Sequence, residues 1–273
     1  MSLAAATPLV LAGSGKMGGA MLAGWLDMGL DPAGVTVIDP GPPPEIANLI
    51  SQKGIRLEAS APDDVTAAVL LVAVKPQMMG DVLPALRPVV GSETVVVSIA
   101  AGTTIATLSV GLGTDNVVRS IPNTPAQVGR GMTVAVATCD VGRAQRAVVT
   151  DLLSAVGKVG WVEDEELIDA ATGVSGSGPA YVFFLVEALA EAGRAAGLDA
   201  DLAMTLARQT VTGAGELLHR SDLDAATLRQ NVTSPGGTTA AALNVLMAEE
   251  GGLAGLMREA VAAATKRSRE LAG

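Results

Sequence analysis

Leu9-Val-Leu-Ala-Gly-Ser-Gly-Lys-Met-Gly-Gly19 is the stretch from which the rest of the chain is read. A short apolar run ends in glycines at Gly13, Gly15 and Gly18, and Met17, Met21, Trp25 and Met28 follow at helical spacing. The expectation is a strand, a tight turn and a helix. In that geometry each glycine of G-x-G-x-x-G plays a separate part. Gly13 permits the turn, Gly15 lets a pyrophosphate approach the backbone, and Gly18 lets the helix pack close to the strand. The N–H groups opening the helix, at Lys16 and Met17, would hold the anion with the positive end of the helix dipole behind them. A bare glycine turn is the bland alternative; strand before and helix after favour a dinucleotide site.

The following segments repeat the pattern. Val35-Thr-Val-Ile-Asp39 reads as a second strand. Asp39 ends it where an acid can accept from a ribose 2′-hydroxyl. It could equally be a turn aspartate ahead of Pro40 and Pro42–Pro44. No Arg or Lys follows before Lys53 to pair a 2′-phosphate, so NADH or NADPH would serve, with a lean to NADH. A helix over 46–52 and a short strand over 55–58 come next.

Three apolar runs then end in short polar turns. Val69–Val74 leads to Lys75 and Pro76, Val95–Ile99 to Ala100, and Val117–Ile121 to Pro122 and Asn123. Helical segments lie between them, at about 78–86 and 104–108. Continuous apolar strands alternating with helices predict an α/β, Rossmann-like doubly wound sheet. Ligands of such sheets bind beyond the carboxyl ends of the strands. The glycine loop, Asp39, Val74, Lys75, Pro76, Ala100 and Asn123 would share that rim, although Lys75 reads equally well as an exposed charge. A strand over 131–137, a helix over 143–156 and a strand over 158–162 complete this half. Glu163-Asp-Glu-Glu166 reads as the solvated first turn of a helix, and the boundary is expected there: residues 1–162 as a dinucleotide-binding domain and 163–273 as a helical one.

The C-terminal half lacks strand-like runs and is rich in Ala, Leu and Gly. Helices are expected over 181–196 and 200–219, broken at Gly197-Leu-Asp199, with Ala203, Ala207, Thr210 and Ala214 allowing close helix approach within or between subunits. Two glycine motifs interrupt it. In Gly173-Val-Ser-Gly-Ser-Gly-Pro-Ala-Tyr181, Pro179 suits a first helical turn. In Val232-Thr-Ser-Pro-Gly-Gly-Thr-Thr-Ala240, Ser234 is expected to cap and Pro235 to open a helix running through Leu246. Two glycines at a helix start cost stability. They make sense if a ligand lies against the backbone, with N–H groups at Gly236, Gly237, Thr238 and Thr239 cradling a carboxylate.

These blocks, with Ala73-Val-Lys-Pro-Gln77, Ser98-Ile-Ala-Ala-Gly102 and Arg119-x-x-Pro-Asn-Thr-Pro-Ala126, make the chain resemble pyrroline-5-carboxylate reductases over nearly its whole length. The resemblance implies reduction of the cyclic imine 1-pyrroline-5-carboxylate to L-proline by NADH or NADPH. It also implies a Rossmann domain with an all-helical C-terminal dimerisation domain, and a homodimer or larger homo-oligomer. It places the substrate carboxylate on Ser234, Gly236, Gly237, Thr238 and Thr239. A protonated imine is already electrophilic, so a dedicated general acid matters less than for a carbonyl. Thr238 is the best hydroxyl for the imine nitrogen; the single His219 and single Tyr181 read as surface and packing residues.

Composition narrows the alternatives. A net charge of −10 argues against nucleic acid as a partner. One cysteine, Cys139, excludes an internal disulfide and suits a reducing, cytoplasmic setting. The N-terminal ten residues lack a basic leading segment, so a first strand is favoured over a signal peptide. The longest apolar run, Val69–Val74, is too short for a bilayer, and neither a membrane nor a metal is expected. A β-hydroxyacid dehydrogenase shares the two-domain plan, but Val182 stands where its motif carries a lysine. A non-enzymatic NAD(P)-sensing module would leave the second glycine motif without purpose.

Overall fold

The computed structural model describes residues 3–272. Its α/β part comprises β1 (Leu9–Ala12), α1 (Lys16–Asp27), β2 (Val35–Ile38), α2 (Pro44–Lys53), β3 (Arg56–Glu58), β4 (Val69–Val72), α3 (Met79–Ala85), β5 (Val95–Ser98), α4 (Ile105–Leu112), β6 (Val117–Ile121), β7 (Gly131–Ala137), α5 (Arg143–Ser154), β8 (Gly157–Trp161) and α6 (Leu167–Ala171). A π-helical turn, Thr172–Gly176, follows. The helical part comprises α7 (Gly178–Ala195), α8 (Ala200–Arg220), α9 (Ala225–Asn231), α10 (Thr238–Leu246) and α11 (Leu253–Ala272).

The strands form one sheet of order β3-β2-β1-β4-β5-β6-β7-β8. The pairs from β3 to β6 are parallel, and β7 runs antiparallel to β6. Alternate strand residues feed two cores. Leu9, Leu11, Val37, Val69, Leu71 and Val97 face one; Val10, Ala12, Leu70, Val72 and Val96 face the other. Burial on both faces explains why these runs are apolar throughout rather than alternating. Trp25 anchors α1: its ring is fully buried and Nε1 donates to the Leu152 carbonyl at 2.8 Å. Burying a side chain of this size stabilises by about 1.5–3 kcal/mol.

The chain divides into two packing units, residues 1–176 with 264–273, and 177–263. The sequence boundary at 162/163 marks where strands end. The packing boundary lies later because Ile168 of α6 joins Ile121, Val134 and Val136 in a core patch of the first unit. The acidic run is corrected at one member. Glu165 is no solvated side chain: its Oε1 accepts from the buried Arg119 guanidinium at 2.7 Å and from the Ile105 N–H at 2.8 Å. A charge inside the apolar strand β6 needs a counter-ion, and Glu165 supplies it.

The helical unit is nearly coreless. Its buried apolar residues, among those described, are Ala190, Ala203 and Ala207, while Phe183 and Phe184 are 62% and 68% exposed. The stretch Leu167–Ala195 is apolar enough, by length and composition, to qualify as a membrane span, with a mean hydropathy of 1.2 and 11% of that window buried. An unbroken apolar run is a stricter criterion than mean hydropathy, so the sequence reading does not flag it.

Candidate functional site

At the glycine loop, bare backbone serves a different purpose at each glycine. Gly13 has φ +88°, and a Cβ on it would lie 3.0 Å from the Ala73 carbonyl carbon and Val74 Cγ1. A Cβ on Gly18 would lie 2.2 Å from the Gly13 carbonyl oxygen, so α1 approaches β1 only because that position is bare. Gly15, the N-cap of α1, has nothing within 4 Å of its Cβ position. The first-turn N–H groups of Lys16, Met17 and Gly18 have no intrahelical acceptors by helix geometry. Bare backbone, an open approach and unspent donors fit a dinucleotide pyrophosphate.

Asp39 stands at the end of β2. Its Oδ2 accepts from Ser14 N at 2.7 Å and Ser14 Oγ at 2.8 Å, and its Oδ1 from Gly41 N at 2.9 Å. Burial alone would push its carboxyl up; the three hydrogen bonds outweigh that and hold it below the ordinary aspartate range. Three of about four acceptor positions are occupied, which leaves one on Oδ1 for an incoming hydroxyl. Asp39 thus ties the glycine loop to β2. Ser14 lies between two glycines whose reading concerned only backbone, and its buried hydroxyl had no sequence signal.

Gly13, Gly15, Asp39, Val74 and Lys75 line one cleft of about 470 Å³, together with Ser60 and Asp81. Lys75 is exposed, and Pro76 begins a 3₁₀ turn after it. Ala100 and Asn123 follow β5 and β6 at the same edge of the sheet but outside this cleft. The Asn123 amide is committed within the protein: Oδ1 accepts from Met132 N at 2.8 Å, and Nδ2 donates to the Ser175 carbonyl at 3.0 Å. One amide N–H and one carbonyl lone pair of Asn123 remain beyond these two bonds.

In the helical unit, Ser234 and Pro235 depart from the expected cap and helix opening. Gly237 N donates to the Ser234 carbonyl at 3.0 Å and Gly236 has φ +71°, which makes Ser234–Gly237 a turn with proline second and glycine third. The helix starts after it, at Thr238, with Gly237 as N-cap. Glycine is needed at 236 for the positive φ. At 237 a Cβ would come within 3.2 Å of the Ser234 carbonyl oxygen. Ser234, Gly236 and Thr238 are exposed, and Gly237 and Thr239 half-buried. The turn therefore delivers an accessible helix N-terminus flanked by hydroxyls, a site for a small anion. His219 is exposed and Tyr181 half-buried.

Two family models match separate parts of the chain. Residues 165–271 match the family described as pyrroline-5-carboxylate reductase dimerisation, and residues 9–102 the family described as NADP oxidoreductase, coenzyme F420-dependent. The pyrroline-5-carboxylate reductase of Pseudomonas aeruginosa is 40% identical over 262 residues, 95% of each chain. That of Synechocystis is 45% identical over 224 residues, 81% of this chain and 82% of the relative. Among solved structures, the Coxiella burnetii pyrroline-5-carboxylate reductase superposes with a TM-score of 0.88 at 34% identity, covering 98% of this chain and 99% of that one. The Plasmodium falciparum enzyme, solved with NADP bound, does so with 0.78 at 29% identity, covering 98% of each. The chain belongs to the pyrroline-5-carboxylate reductase family of NAD(P)-dependent oxidoreductases.

Proposed function

We propose that this chain reduces 1-pyrroline-5-carboxylate to L-proline with a dinucleotide held at the Gly13–Gly18 loop and Asp39, and with the substrate carboxylate held at Ser234–Thr239. The observation that carries the proposal is the open N-terminus of α10, set up by the Ser234–Gly237 turn and bare of side chains at Gly236 and Gly237. The reduced cofactor supplies the hydride for the C=N carbon. The protein's own part is orientation. Backbone donors and the hydroxyls of Ser234 and Thr239 fix the carboxylate, and the Thr238 hydroxyl bonds the imine nitrogen, which enters already protonated from solution. Most of the acceleration then comes from positioning.

The helical unit supports a homodimer or larger homo-oligomer. Its groove of about 360 Å³ between α7 and α8, lined by Val182, Phe183, Val186 and Met204, leaves large apolar side chains in water unless a second copy covers them. The same face accounts for the apolar composition of α7, Gly178–Ala195, without a bilayer. Residence in the cytoplasm fits a lone exposed cysteine, Cys139.

NADH is the preferred cofactor in this reading, because an ionised Asp39 repels a 2′-phosphate. Asp39→Ser is expected to shift the NADPH-to-NADH ratio of kcat/KM toward NADPH by about tenfold, near 1.4 kcal/mol. It is also expected to raise KM for both cofactors, since Ser14 loses its acceptor. Steady-state kinetics with each cofactor checks this; a parent enzyme that already prefers NADPH contradicts it. Turnover of the imine, read as proline formed, tests the reaction itself.

A further inference from the structure

The chain leaves the first packing unit at Gly176 and returns to it at Ala264, so the last turns of α11 belong to the α/β unit. Two contacts seat them there. The Ser268 hydroxyl donates to Asp169 Oδ1 at 2.6 Å across 99 residues of sequence, and the two residues are 9% and 7% exposed. Nearer the C-terminus, the Leu271 backbone lies against Gly102: a Cβ on Gly102 would be 3.2 Å from the Leu271 carbonyl oxygen. Gly102, with φ +72°, lies in the turn after β5, two positions beyond the buried Ala100.

Asp169 is the one carboxylate among the buried polar residues described, and neither the cofactor reading nor the substrate reading uses it. A carboxylate is kept from water only where hydrogen bonding compensates. Here the compensating donor comes from the end of the chain, and the helix it anchors backs the Ala100–Gly102 turn.

We infer that Ser268 is a positioning residue for the dinucleotide: its bond to Asp169 seats the end of α11 so that the Leu271 backbone braces Gly102 and fixes the β5–α4 turn carrying Ala100. The inference rests on the reading that this turn belongs to the cofactor rim. Loss of the bond loosens the turn, and the cofactor, not the imine, registers the change.

The test uses the full-length protein with Ser268→Ala, Ser268→Thr and Asp169→Asn, the last of which keeps an acceptor oxygen. Ser268→Ala is expected to raise the dinucleotide KM about three- to tenfold, with the imine KM within about twofold. It is also expected to speed amide hydrogen exchange over residues 100–104. Ser268→Thr and Asp169→Asn are expected to stay within about twofold of the parent in both constants. Unchanged exchange in Ser268→Ala would overturn the brace, as would equal rises in both KM values. Faster exchange with an unchanged dinucleotide KM would keep the brace but overturn the placing of this turn on the cofactor rim. Should Ser268→Ala fail to fold, Asp169→Asn decides: a raised dinucleotide KM in that variant contradicts a role carried by the hydrogen bond alone.

Discussion

Gly237→Val is expected to raise the KM for pyrroline-5-carboxylate by roughly a hundredfold while leaving dinucleotide binding nearly unchanged. The residue is the N-cap of α10, and any Cβ there already presses to 3.2 Å on the Ser234 carbonyl that closes the preceding turn. A branched side chain therefore distorts the turn and also occupies the space in front of the helix N–H groups. Losing one hydrogen bond to a charged group costs about 1.5–3 kcal/mol, or roughly ten- to a hundredfold in kcat/KM. Valine removes more than one. Thr238→Ala is the milder partner: backbone donors remain, so kcat falls by about tenfold and KM changes less. Separate titrations of dinucleotide and imine check both variants. A folded Gly237→Val protein with an unchanged imine KM would place the carboxylate elsewhere.

Glu165→Ala is expected to give the largest loss of stability. It leaves the Arg119 guanidinium, 4% exposed, without its carboxylate, and leaves the Ile105 N–H at the start of α4 without its acceptor. Removing one partner of a buried pair costs about 3–5 kcal/mol, and the 31% exposure of Glu165 puts the expectation at the lower end. Thermal unfolding should show a Tm lower by roughly 10 °C. Arg119→Met combined with Glu165→Leu should recover a good part of that loss, since no charge is then left buried. A Tm within about a degree of the parent in Glu165→Ala would mean that water replaces the carboxylate at no cost.

The central strands of the sheet were legible because they are buried on both faces. Runs such as Val69–Val72 and Val95–Ser98 carry little besides apolar residues, and the turns after them carry the punctuation. The glycine loop was legible for a different reason: at Gly13 and Gly18 the backbone conformation or contact forbids a side chain, and that constraint is written in residue type. Ser234-Pro-Gly-Gly was legible as a special backbone but misread in detail. Proline fits the first turn of a helix and the second position of a β-turn equally well. The positive φ at Gly236 decides for the turn.

Long-range polar partners were not legible. Arg119 inside β6 signals that a counter-ion exists, but nothing singles out Glu165 from its acidic neighbours in the 163–166 run. Ser14–Asp39, Asn123–Ser175 and Asp169–Ser268 are likewise pairings that only the folded chain brings together. The residues of α7 and α8 left open whether their apolar faces pack within a subunit or between subunits, because periodicity does not distinguish an intramolecular partner from a second copy.

The proposed imine reduction is tested most directly by parallel oxidation of NADH and NADPH by the purified protein, with pyrroline-5-carboxylate as acceptor and proline measured as product. The expected result is one proline formed per dinucleotide oxidised, and a higher kcat/KM with NADH. Consumption of neither cofactor in the presence of the imine would contradict it.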